Sequence, residues 1–329
     1  MEGGFPMTTL VTGGAGYIGS HMVRYLQEQG RAVVVLDDLS TGHRWAVPDG
    51  LLEVADLTDR AAVEAVFARY DIEAVIHFAA SSLVGESRRL PLAYYENNVG
   101  GTLNLVHACL KRGVERFVFS STAAVYGEPG VDLIAEDQAL HPINPYGATK
   151  AACERLLMDV GIPHVSLRYF NAAGAAPDAQ LGECHEPETH LIPRVLQAAS
   201  GRGDEITVFG EDYPTPDGTC VRDYIHVQDL VQAHALALDY LESGGGSRAF
   251  NCGYGRGYSV RDVIDACSQV TGRTIPVSYG PRREGDPPRL VADGSALRQM
   301  MGWEPAYDDL ETIVADAWRW EQALASKQP

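Results

Sequence analysis

The stretch Thr12-Gly13-Gly14-Ala15-Gly16-Tyr17-Ile18-Gly19 constrains this chain more than any other. It lies between a short apolar run, Thr9-Leu10-Val11, and a helical pattern. Its spacing, GxxGxxG, is one residue longer than the usual dinucleotide fingerprint. In such a loop Gly13 permits the tight turn, Gly16 lets the backbone approach a pyrophosphate, and Gly19 lets helix pack on strand. The N–H groups that open the helix, near Tyr17 and Ile18, then face phosphates. Alone, the loop could also be a plain strand–helix turn.

Its surroundings favour the ligand. The β-branched run from Ala32 to Leu36 ends in Asp37, 18 residues after Gly19, and Asp38 follows. A carboxylate there accepts hydrogen bonds from ribose hydroxyls and repels a 2′-phosphate, and no arginine sits in that stretch. The expected cofactor is therefore NAD rather than NADP. The plainer alternative for Asp37 is a turn or helix cap.

Further apolar runs at Ala74–Phe78, Arg116–Phe119 and His164–Leu167 alternate with helical patterns at 61–70 and 97–112. Such alternation predicts an α/β fold, a doubly wound parallel sheet of the Rossmann kind. After about residue 170 the character shifts to loops, short strands and turns such as Tyr213-Pro214-Thr215-Pro216-Asp217-Gly218. We expect an NAD-binding domain over 7–175 and a smaller α/β substrate domain, mainly 176–325. A segment near 219–240 should return to the large sheet. Residues 1–6 read as a leader outside the fold, and Ser243 to Ser247 as a surface connection.

The formal net charge of −18 argues against nucleic acid or an anionic membrane as partner. No apolar run approaches the roughly 20 residues of a membrane span. Six cysteines without a CxxC pair read as reduced thiols of a cytoplasmic protein.

Tyr146 and Lys150 form a YxxxK pair, which places phenol and ammonium on one helix face. With 15 tyrosines and three lysines, chance supplies roughly 0.14 such pairs, so position decides. The pair opens a helix after Pro142 and Pro145, and a strand ending in Ser120-Ser121-Thr122 precedes it. Open α/β sheets place ligands at such strand ends. The ammonium should lower the tyrosine pKa and make the phenol a base for a sugar hydroxyl. Thr122 can supply a further hydroxyl, or simply cap a helix.

TGGAGYIGSH at 12–21, IHFAA at 76–80, VGES at 84–87, YYENN at 94–98, SSTAAVYG at 120–127 and NPYGATK at 144–150 resemble the UDP-glucose 4-epimerases. So do RYFNAAGA at 168–175, DGTCVRDYIHVQDL at 217–230 and PRREGDPP at 281–288. These enzymes are extended short-chain dehydrogenases/reductases, and the likeness runs from about residue 7 to about 325. It implies that UDP-glucose and UDP-galactose are interconverted through transient oxidation at C4 with tightly held NAD. It also implies a homodimer through helices near 97–112 and 146–160. By resemblance, Tyr146, Lys150 and Thr122 are catalytic. Gly13, Gly16, Tyr17, Ile18, Gly19, Asp37, Asp38, Leu39, Ser40, Thr41, Gly42, Asp56, Leu57, Phe78, Ala79, Ala80, Ser82, Asn97 and Phe170 would line the NAD site, with Tyr146 and Lys150. Asn171, His190, Leu191, Thr207, Phe209, Arg222, Arg283 and Asp286 would hold UDP, with Arg222 and Arg283 as the cationic cluster for the diphosphate. Leu290 falls where a large aromatic in some members blocks N-acetyl sugars, so UDP-N-acetylhexosamines could fit; it could equally be core. The chain departs from the family at three positions. Thr122 replaces a frequent serine, Ser82 stands where some members carry lysine, and His190 where some carry asparagine.

Alternatives remain at this level. A UDP-pentose or UDP-hexuronate could be the substrate, or the chain could be a non-catalytic NAD-binding regulator. Ala123 and Ala124 stand where related dehydratases place an Asp-Glu pair, which argues against dehydration. Cys184, His185, Glu186, Glu188 and His190 lie close in sequence without ordinary zinc spacing, so no metal is expected. Trp303, Trp318 and Trp320 are read as core packing.

Overall fold

The computed structural model describes residues 8–283 and 285–327. The leader at 1–6 lies outside the described residues. Seven parallel strands form the large sheet: β1 (Thr8–Thr12), β2 (Ala32–Asp37), β3 (Leu52–Val54), β4 (Ile72–His77), β5 (Arg116–Thr122), β6 (His164–Tyr169) and, after three intervening strands, β10 (Arg248–Cys252). Their spatial order is β3-β2-β1-β4-β5-β6-β10. The chain winds outward from β1 in one direction, then crosses to β4 and winds in the other. The order therefore reverses between β1 and β4, and a crevice opens beyond their carboxyl ends.

Strand periodicity explains why both faces are covered. In β1, Leu10 faces one core and Val11 the other. In β5, Phe117 and Phe119 share the face of Leu10, whereas Val118 shares that of Val11. Side chains alternating across a strand with both faces apolar demand helices on both sides. One face receives α2 (Arg60–Arg69), α5 (Gly101–Arg112) and α6 (Pro145–Val160), following the short α3 (Val84–Arg89) and α4 (Pro91–Tyr94). The other receives α1 (Tyr17–Glu28) and, later in the chain, α8 (Val227–Glu242). Between α4 and α5 a wide π-turn spans Tyr95–Gly100.

The smaller region contains β7 (Asn171–Ala173), α7 (Leu191–Ser200), β8 (Ile206–Phe209), β9 (Val221–His226), β11 (Gly257–Ser259), α9 (Val260–Thr271), β12 (Val277–Gly280) and β13 (Arg289–Leu290). Helices α10 (Ser295–Met301) and α11 (Leu310–Lys327) finish the chain. Here the expected return near 219–240 needs correction. Strand β9 does not enter the large sheet; it pairs with β7, β11 and β13 in a sheet of its own. The return is made by α8, packed beside α1, and completed by β10 next to β6. Asp223 and Asp229 hold this crossing. Asp223 accepts the amides of Tyr254, Gly255 and Ala292, and Asp229 those of Ala306 and Tyr307 together with the Tyr254 hydroxyl.

A buried ion pair ties α6 to the sheet. Glu154 is bound by Arg168 of β6 at 2.6 Å, and it accepts the hydroxyl of Ser121 from β5. Arg168 also donates to Tyr126 at 2.9 Å. Arg168→Met should cost about 3–5 kcal/mol by stranding a buried carboxylate. Urea unfolding measures this, and a loss below about 1 kcal/mol would contradict the coupling.

Candidate active site

The crevice at the strand reversal is built by close approach. Gly13 leaves β1 at φ +71°, and a Cβ there would stand 2.6 Å from the amide nitrogen of Ala79 beyond β4. A Cβ on Gly19 would stand 2.1 Å from the Gly13 carbonyl oxygen. Both glycines are thus demanded by the protein's own packing. Gly16 is different, because its Cβ would meet only Gly13 O at 3.3 Å. No side chain caps α1 and no acid lies in its first turn, so its leading N–H groups can receive an anion.

Asp37 ends β2 beside this loop. Its carboxylate accepts the Ala15 amide at 2.9 Å and the Leu39 amide at 2.8 Å, so it braces the loop as well as lining the crevice. Burial raises its pKa, and those two amides oppose the rise. Leu39 adopts φ +61° and lets the chain fold back. Asp38 binds the Ser40 amide and hydroxyl, exposed Thr41 follows, and Gly42 packs against Ala15 and Asp37. Asp56, exposed beyond β3, accepts the Thr58 amide, and Leu57 beside it is buried. Phe78, Ala79 and Ala80 follow β4 and are partly exposed; exposed Ser82 comes two residues later. Asn97, in the π-turn, donates to Ser81 Oγ at 3.0 Å. Its neighbour Asn98 bridges the amide and carbonyl of Ser81 to Thr149 on α6. Wide turns of this kind often occur at functional sites. A glycine cradle, an uncapped helix and an acid after the second strand together fit a dinucleotide.

Across the crevice stand Thr122, Tyr146 and Lys150. Asn144 caps α6 by accepting the Gly147 amide, and Pro145 occupies its first position. This helix start fixes Tyr146, whose phenol lies close enough to the Thr122 hydroxyl for that group to favour its ionised form. Thr122 also accepts the Ala124 amide at 3.2 Å, so the capping role holds too. Lys150 is buried, donates to the Ser120 carbonyl at 2.9 Å and lies 4.9 Å from the Phe119 ring centre.

The electrostatics correct one expectation. The Tyr146 pKa is not lowered; burial pushes it up to about 12, with the neighbouring Thr122 hydroxyl only partly opposing. Lys150 is aimed at a backbone carbonyl, and burial brings its own pKa down to about 8.

The expected UDP contacts come from five segments of the smaller region. Arg283 lies over the Phe209 ring, 4.1 Å from its centre. Arg222 is ion-paired with Asp286 and donates to Val221 O at 2.8 Å. The cationic cluster is therefore half neutralised by its own acid. Thr207 is within 3.3 Å of Ser278 across the β8–β12 pair. Leu290 stands opposite Arg222 in the β13–β9 register and packs in one cluster with Phe170. Asn171 opens β7, and Leu191 opens α7 behind His190, whose ring contacts Glu183.

Sequence reasoning passed over the supports of these groups. His77 joins Thr12 at 2.6 Å to Thr102 at 2.9 Å, locking the ends of β1 and β4 to α5. Burial lowers its pKa to about 3, so the ring is neutral. A histidine inside an apolar strand was the available signal. Glu154, four residues after Lys150 on the same helix face, was another.

Residues 9–253 match the NAD dependent epimerase/dehydratase family. The chain belongs to this family. It is 51% identical over 320 residues to a UDP-glucose 4-epimerase of Halalkalibacterium halodurans, covering 96% of each chain. Among solved structures it resembles a UDP-glucose 4-epimerase from Brucella ovis in complex with NAD. There the TM-score is 0.92 and the identity 49%, with coverage of 95% of this chain and 97% of that one. It also resembles the UDP-Glc/GlcNAc 4-epimerase of Campylobacter jejuni, at TM-score 0.84 and 45% identity over 96% of this chain and 99% of that one. Membership in the epimerase/dehydratase family accounts for the NAD cofactor and the parallel sheet. Among the described residues no helix is long and apolar enough to cross a membrane.

The two glycines separate packing from binding. Gly16→Ala should fold with a loss of about 1 kcal/mol or less. It should bind NAD about tenfold or more weakly, about 1.4 kcal/mol, by calorimetry. Unchanged affinity would show that the loop does not approach the pyrophosphate.

Proposed function

We propose that this chain interconverts UDP-glucose and UDP-galactose by transient oxidation at C4, using NAD that stays bound. The observation that carries the reading is the meeting of Tyr146, Thr122 and the buried Lys150, anchored on Ser120, at the crevice built by the glycine loop. When bound, NAD supplies a hydride acceptor at C4 and a cationic ring beside the phenol.

Tyr146 takes the proton of the 4-hydroxyl as C4 is oxidised. Burial keeps its phenol neutral at pH 7, so a nearby positive charge is needed to favour phenolate. Thr122 hydrogen-bonds the same sugar oxygen and relays the proton. Lys150, anchored on Ser120, holds the nicotinamide ribose. The 4-keto sugar turns about its bond to the diphosphate and presents its other face. Reduction from that side gives the inverted alcohol, and Tyr146 returns the proton. The cycle requires a nucleotide held firmly and a sugar held loosely. Arg222 and Arg283 serve the diphosphate with Asn171, His190, Leu191, Thr207 and Phe209. Asp286 orients Arg222 through their ion pair.

The chain acts as a homodimer in the cytoplasm. Support for the dimer comes from exposed apolar side chains on neighbouring helices: Leu92 on α4, Leu103 and Leu110 on α5 and Met158 on α6.

Tyr146→Phe should lose turnover of UDP-galactose by about 10²–10⁴-fold while retaining bound NAD. Near-normal turnover would remove Tyr146 as the base. Leu290 bears on a wider substrate range, since it is only partly buried and, like Phe170, packs against the edge of the cluster of Val125, Tyr126 and Ile134. Leu290→Tyr should cut turnover of UDP-N-acetylglucosamine relative to UDP-glucose by about 10–200-fold. An unchanged ratio would make Leu290 a packing residue.

A further inference from the structure

Glu183, His185, Glu188 and His190 converge on the loop that leads into α7, with their ligand atoms all within 4.8 Å of one another. The epimerase reading uses His190 alone among them. The geometry points to a binding site for a single four-coordinate divalent metal ion of the zinc class.

The distances carry the proposal. His185 Nδ1 lies 3.2 Å from Glu183 Oε1 and 3.5 Å from Glu188 Oε2. His190 Nδ1 lies 3.6 Å from Glu188 Oε1 and in direct contact with Glu183 Oε1. Nitrogen and oxygen ligands about 2.0–2.1 Å from a tetrahedral zinc stand about 3.4 Å apart. The two contacts of His185 already match such an edge, and His190 needs its side chain to open away from Glu183. Two carboxylates balance a divalent ion once each imidazole has given up its proton to bind it.

The loop is also held in place. Glu188 Oε1 accepts the amides of Thr189 at 2.7 Å and His190 at 2.9 Å, which leaves Oε2 turned toward His185. The Glu183 carbonyl accepts Trp320 Nε1 at 2.7 Å, and the Cys184 carbonyl is bound by His43 at 2.8 Å. His185 Nδ1 is buried and faces both carboxylates without a hydrogen bond of ordinary geometry, so it can exchange a proton for a metal ion. Both carboxylates are about 95% covered, while His185 and His190 are 31% and 48% exposed. The ion therefore enters from the imidazole side. The sequence spacing, ExHxxExH, resembles no ordinary zinc pattern, and so the sequence alone pointed away from a metal. The metal closes the loop onto itself and stiffens the start of α7.

The test is titration of chelator-treated full chain with Co2+. The proposal predicts strong visible d–d absorption of a four-coordinate ion, saturating at one equivalent and displaced by Zn2+. It also predicts that Zn2+ raises the Tm. His185→Ala and Glu188→Gln should each weaken Co2+ binding by about tenfold or more. Cys184→Ser should leave it unchanged, which excludes thiol ligation. A weak six-coordinate spectrum, or wild-type affinity in both ligand variants, would overturn the proposal. Should a variant fail to fold, the wild-type spectrum still decides.

Discussion

The close contact between the ends of β1 and β4 is the constraint on which everything else rests. At that point the backbone of Gly13 presses against Ala79, and nothing larger than hydrogen fits between them. His77 then ties Thr12 to Thr102, so strand ends and flanking helix move as one body. The crevice is the space left when two halves of a sheet wind away from that contact. A ligand lying there meets α1 end-on and the strand ends of both halves. Position, rather than any single side chain, makes the site.

Electrostatics divides the molecule into two ends. At the chemical end, burial makes both charged forms costly, since it raises the phenol of Tyr146 and lowers the ammonium of Lys150. Tyr146 therefore rests as the neutral phenol while Lys150 titrates just above neutral pH, and both respond to whatever charge is placed beside them. At the end proposed for the nucleotide, an acidic chain offers guanidinium groups held by local partners, Asp286 for Arg222 and the Phe209 ring for Arg283. Prepositioned arginines lose less freedom when a diphosphate arrives. A site that grips one end of a ligand and leaves the other free to turn follows from this asymmetry.

Much of this was legible in the residues. Both-face apolar strands dictated the parallel sheet, and the glycine spacing located the crevice. The tyrosine–lysine spacing put its chemistry on one helix face, since four residues make about one turn. What stayed hidden was non-local. Strand β9 was expected to join the large sheet, but Arg222, Asp223 and His226 make half of it polar, and pairing partners cannot be read from composition. The edge strand β3 was too short for a periodic signal. Asp223 and Asp229 read as ordinary polar residues, although each gathers several backbone or hydroxyl donors from distant segments. The sign of the Tyr146 shift was missed because spacing shows proximity, whereas the pKa also depends on how dry the surroundings are. The Glu/His loop gave no familiar metal spacing, yet folding brought its four side chains together.

The most direct measurement is to incubate the purified full chain with UDP-galactose, adding no cofactor, and follow UDP-glucose. The account predicts conversion to an equilibrium mixture, sustained over many turnovers by NAD that remained with the protein. Purified chain that carries NAD yet forms no UDP-glucose would contradict it.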